Sequence, residues 1–62
     1  MRMPSEVRFS EVRRLLESKG WMLIRVSGSH HIFKKPDVPE VMSVPVHGGR
    51  VKPLYVKKIE KL

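Results

Sequence analysis

The chain has 62 residues, with thirteen Lys and Arg against six Asp and Glu for a formal net charge of +7, and it has no cysteine. That length allows one domain at most, burying only about 60% of the surface its unfolded form exposes, and the composition excludes disulfides, thiolate metal ligands and cysteine nucleophiles. A hydrophobic content of 40% is too high for a disordered basic tail, so the charge belongs to a folded domain that attracts polyanions, nucleic acid first among them.

Residues 1–6 carry no pattern and read as a loose arm. Ser10 is a good N-cap, and Val12, Leu15 and Leu16 follow at helical spacing with Arg13, Arg14, Glu17 and Ser18 opposite, predicting a helix over residues 11–19 that Gly20 stops. Residues 21–26 (WMLIRV) are rich in β-branched and aromatic side chains, Ser27, Gly28 and Ser29 form a turn, and residues 30–35 return as an antiparallel strand. Pro36, Asp37 and Pro39 make a second connection to a third strand over residues 41–44, and His47, Gly48 and Gly49 read as a flexible loop. Pro53 suits the first position of a final helix, where Tyr55, Val56, Ile59 and Leu62 line one side and Lys57, Lys58, Glu60 and Lys61 the other.

The order predicts a single α+β domain over residues 1–62, αβββα, in which a three-stranded antiparallel sheet carries both helices on one face. The other face is open. Alternation along the first strand sets Met22, Ile24 and Val26 against Trp21, Leu23 and Arg25, so both sides of it are apolar and a partner is expected to cover the open one. No apolar run approaches the ~20 residues of a membrane span, and residues 1–10 lack the apolar core of a signal peptide, which predicts a soluble cytoplasmic protein with no membrane partner.

Three histidines offer chemistry. His30 and His31 are adjacent on a strand and point to opposite faces, which argues against a shared metal ion. If Phe33 faces the helices, His31 goes with it and His30 lies on the open face with Ile32 and Lys34, either as an acid or base working near neutral pH or as an ordinary surface histidine. Ser29 diverges from its neighbour His30 and no acid is placed to orient the imidazole, so a triad is rejected, and Gly48 and Gly49 lack the spacing of a phosphate-binding loop. A domain this small suits a substrate that brings its own nucleophile. RNA does so through its 2′-hydroxyl, leaving the protein to move a proton and stabilise charge.

GlyTrp at 20–21, GlySerHisHisIlePhe at 28–33 and ValProValHis at 44–47, followed by a basic helix, resemble the HicA (YcfA-like) family, small messenger-RNA-cleaving toxins of toxin-antitoxin modules. The resemblance covers residues 7–62. It implies a double-stranded-RNA-binding-domain-like fold, metal-independent endoribonuclease activity that needs no cofactor, His30 as the catalytic residue, and a HicB-type antitoxin as partner beside the messenger RNA. Where the family's last helix usually begins with glycine and threonine, this chain has Leu54 and Tyr55. Ser29, Lys34, Lys35, His47, Arg50 and Lys52, placed around the hairpin and the last helix, are the expected RNA contacts. A non-catalytic RNA-binding module and a pure protein-interaction domain are the competing readings, since fold and charge would be the same and only the role of His30 would differ.

Overall fold

The computed structural model describes residues 6–62, so most of the expected N-terminal arm lies outside the described residues. The elements are β1 (Val7–Arg8), α1 (Phe9–Ser18), β2 (Met22–Ser27), β3 (His30–Lys34), β4 (Met42–Pro45), β5 (Arg50–Val51) and α2 (Pro53–Glu60). β2, β3 and β4 form an antiparallel sheet in that order, which is the three-stranded meander between two helices that the sequence predicts. Phe33 and Val44 from the sheet, Val12 and Leu16 from α1, Ile59 from α2, and Trp21 and Val51 make the buried core.

Helix α1 starts two residues before the expected position. Arg8, not Ser10, occupies the N-cap position, and among the described residues no side chain caps the helix. The main chain does that work instead: Phe9 N–H donates to the Gly49 carbonyl at 2.8 Å, because β1 pairs with β5 through Val7 with Val51 and Arg8 with Arg50. The exit follows the sequence closely. Gly20 N–H donates to the Glu17 carbonyl and Trp21 N–H to the Leu16 carbonyl, at 3.0 and 2.9 Å. These two bonds make a Schellman motif, which needs a left-handed residue at its centre and favours an apolar contact across it. Gly20, at φ +94°, supplies the first, and Trp21 and Leu16, both buried in the core cluster, supply the second.

Residues 47–49 are not a flexible loop. His47 and Arg50 exchange two backbone hydrogen bonds of 3.0 Å, closing a two-residue hairpin turn on Gly48 (φ +59°) and Gly49 (φ +75°). Two consecutive positive φ values are the requirement of a type I′ turn, and glycine meets it without steric cost. The turn swings the chain back over the helix side of the sheet, where β5 pairs with β1 and Val51 is fully buried.

Helix α2 has Pro53 in its first turn and no side-chain cap at Lys52. Its far end is held by Lys19, whose Nζ donates to the main-chain oxygens of Glu60 (3.4 Å) and Leu62 (3.0 Å). A cation at a helix C-terminus satisfies orphan carbonyls and opposes the negative end of the dipole. Leu62, expected on the buried side, remains 48% exposed.

The departure that bears on function is a bulge in β2. The register pairs Leu23 with Phe33 but Arg25 with Ile32, leaving Ile24 as an extra residue. A bulge of one residue reverses side-chain parity beyond it. Val26 therefore pairs with His31 on the helix side, while Arg25 joins Met22 and Ser27 on the open face. Val26 thus leaves the expected apolar stripe, although Met22, Ile24 and Val26 all stay more than half exposed. Ile32, expected to be accessible, is only 8% exposed. It sits at the centre of the sheet between Arg25 and Ser43, with His30 and Lys34 two positions away on its own strand, and the aliphatic stem of an arginine covers apolar surface well.

Candidate active site

The β2–β3 turn places His30. Gly28 at φ +59° followed by Ser29 at negative φ makes a two-residue turn of the II′ kind, closed by the pairing of Ser27 with His30. Ser29 is half-buried and its carbonyl accepts the Val46 N–H at 2.7 Å, which ties the turn to the chain leaving β4. His30 opens β3 opposite Pro45 of β4, on the face away from the helices, and is exposed.

Its ring is not free to spin. Nδ1 of His30 lies 3.1 Å from Oγ of Ser43, a residue of β4 that pairs with Ile32 and shares the open face. A serine hydroxyl both donates and accepts. When Nδ1 carries a proton and donates it to Ser43, Nε2 keeps its lone pair and is the basic atom. That arrangement survives protonation unchanged, because an imidazolium has N–H at both positions and still donates from Nδ1. Ser43 thus suits a ring that gains and loses a proton at Nε2.

His31 has the opposite fate. It faces the helix side, where its ring centroid lies 4.3 Å from that of Phe9 with the planes tilted by 50°, and its Nδ1 is buried with no hydrogen-bond partner among the described residues. It is a packing residue. Among the described residues no group of three or more His, Cys, Asp or Glu side chains converges on one point.

Beyond Ser29 in the turn beside His30, the expected RNA contacts divide into two groups. Pro45, His47, Lys52, Leu54 and Tyr55 line a cleft of about 220 Å³ at the start of α2. Pro45 is also the cross-strand partner of His30, so the cleft adjoins the histidine, and Arg50 flanks it through its pairing with His47. Lys34 and Lys35 lie at the other end of β3, about 13 Å of strand from His30 at the usual rise per residue. The Lys34 ammonium is engaged by the carbonyls of Val38 (3.0 Å) and Pro39 (3.5 Å), and so latches the β3–β4 connection. The stem of Lys35 runs beside Gly20. Two open-face residues escaped the sequence reading. Ser43 could only be found from the β3–β4 register, and Arg25 only from the bulge.

Fold and face together define a small basic α+β domain that presents one hydrogen-bonded histidine on the side of its sheet away from the helices. The model of the family described as HicA toxin of bacterial toxin-antitoxin matches residues 9–62, from the first residue of α1 onward. The chain belongs to this HicA toxin family, and membership implies an antitoxin as its partner. No curated protein matches the chain significantly. Among the described residues no helix is long and apolar enough to cross a membrane.

Proposed function

We propose that this chain is a metal-independent endoribonuclease toxin that cleaves messenger RNA in the cytoplasm through His30, and that a HicB-type antitoxin holds it inactive by covering the open face. The observation that carries the reading is the hydrogen bond between His30 Nδ1 and Ser43 Oγ on an exposed strand face, which occupies Nδ1 and leaves Nε2 for a substrate. In the reaction, Nε2 takes the proton of a ribose 2′-hydroxyl as its oxygen forms a bond to the adjacent phosphorus. The bond from phosphorus to the 5′-oxygen of the next nucleotide breaks, and that oxygen takes a proton from water. The products are a 2′,3′-cyclic phosphate and a 5′-hydroxyl, and the imidazolium returns its proton to solvent. No electron changes hands, and the nucleophile belongs to the substrate.

His47, Lys52 and Arg50 would meet phosphates flanking the scissile one, in and beside the cleft that adjoins His30. With the scissile phosphate as a fourth contact on a single strand, log K against log salt should fall with a slope of roughly −3. The face that the antitoxin would cover carries Arg25, His30 and Lys34 around a buried Ile32, with Met22 exposed at its edge, so its complement is an acidic surface with an apolar contact for Met22.

The deciding experiment incubates the purified chain with single-stranded RNA in EDTA, alone and with its antitoxin. Cleavage that leaves cyclic phosphate ends, is lost in His30→Ala and is suppressed by the antitoxin supports the reading. RNA bound with the expected salt slope but left uncut would make the chain a non-catalytic RNA-binding module.

A further inference from the structure

Stabilising the phosphorane formed by 2′-hydroxyl attack requires positive charge close to His30, and Lys34 is turned toward the β3–β4 connection. The bulge at Ile24 supplies another cation. In an unbroken strand Arg25 would share the face of Leu23 and point to the helices. The observed register instead sets it opposite Ile32, while Ser27 is opposite His30. Arg25 and His30 are therefore diagonal neighbours on one sheet face, a relationship that spans about 7–8 Å and lies within reach of long side chains. Ile32 in turn is opposite Ser43, the hydrogen-bond partner of His30. Arg25, Ser43 and His30 thus surround one buried isoleucine.

Arg25 is exposed, and among the described residues the one ion pair is Arg13 with Glu17, so no carboxylate neutralises the guanidinium. The guanidinium is a planar fork of donors that matches two phosphate oxygens at once and keeps its charge at any working pH. We propose that Arg25 binds the scissile phosphate, donating to its two non-bridging oxygens while His30 removes the 2′-hydroxyl proton. Charge on those oxygens grows as the fifth bond to phosphorus forms, so the contact strengthens toward the transition state, where it accelerates the reaction. The assignment rests on the RNA-cleaving reading for its catalytic half. Its phosphate contact can be read separately.

The test uses the full chain with an RNA oligonucleotide and with the same oligonucleotide carrying 2′-deoxy sugars, which can bind but cannot be cut. Arg25→Gln should lower kcat by about 10²-fold or more, as removal of one transition-state donor does elsewhere. Arg25→Lys, which keeps the charge and the stem over Ile32 but loses the fork, should recover part of that loss. The salt slope for the 2′-deoxy oligonucleotide should shrink by about 0.7 in Arg25→Gln, the share of one single-strand phosphate contact. Arg14→Gln, an equal loss of charge on α1, should leave kcat and slope as they are. A kcat for Arg25→Gln no lower than that of Arg14→Gln would overturn the catalytic assignment. If the wild-type chain leaves RNA uncut, the ribonuclease reading fails alone; an unchanged slope in Arg25→Gln would then overturn the phosphate contact, and a shrunken one would support it.

Discussion

His30 and Ser43 stand thirteen residues apart in the sequence, on neighbouring strands, and meet through a 3.1 Å hydrogen bond on the side of the sheet away from α1 and α2. Ser43 does not sit directly opposite His30. That place belongs to Pro45, whose ring has no hydrogen-bonding group to offer, so the diagonal serine is the neighbour that can hold the imidazole.

His30→Ala should abolish most RNA cleavage, by about 10²- to 10⁴-fold, the usual contribution of a general acid or base. The side chain is exposed, so the thermal midpoint should scarcely move and RNA binding should persist. Wild-type cleavage by this variant, in a preparation free of contaminating nuclease, would end the mechanism proposed above.

Ser43→Ala removes the partner of Nδ1 without exposing the core. A neutral hydrogen bond of this kind is worth about 0.5–1.5 kcal/mol, so cleavage should drop roughly 2- to 10-fold, and Ser43→Thr, which keeps the hydroxyl, should restore it. Nitrogen-15 NMR of the His30 ring gives the independent readout. Protonation at Nδ1 should dominate the neutral ring in the wild type and decline in Ser43→Ala.

His31→Phe tests the buried nitrogen beside Phe9. Replacing an unpartnered polar atom by an aromatic carbon should raise stability by about 1 kcal/mol, read as a higher urea midpoint with unchanged slope. His31→Ala should lower it, and neither variant should alter the chemistry of His30 on the opposite face.

Ile32→Glu is expected to unfold the domain rather than to spare the fold and weaken only the antitoxin complex. Ile32 is 8% exposed at the centre of the sheet, and an isolated charge buried there costs several kcal/mol, a large part of the stability of so small a domain. Circular dichroism at 25 °C should show the loss directly.

Gly20→Ala places a Cβ at φ +94°, where it would also meet Cε of Lys35 at 3.3 Å. Holding an L-residue in a left-handed conformation costs about 1–2 kcal/mol. The thermal midpoint should fall while RNA cleavage below it continues at the wild-type rate.

Local chemistry made much of this fold readable from the sequence. Periodicity at Val12 and Leu16, the Gly20 stop, the Gly28 turn and Pro53 each act within a few residues, so helix, hairpin and helix appear in their observed order without knowledge of the tertiary structure. The parity of His30 against His31 and Phe33 was equally legible, because β3 is an uninterrupted strand and alternation holds along it. Three things were decided only by contacts distant in sequence. The start of α1 moved because Phe9 finds its acceptor at Gly49, forty residues on. The open face gained Arg25 because one residue, Ile24, has no partner across the ladder, and nothing in a run of β-branched and apolar residues marks which of them will bulge. Ser43 became part of the site because register, a property of two strands together, sets it beside His30. Sequence patterns report what each segment does to itself; the chemical neighbours of a side chain on a sheet come from the strands next to it.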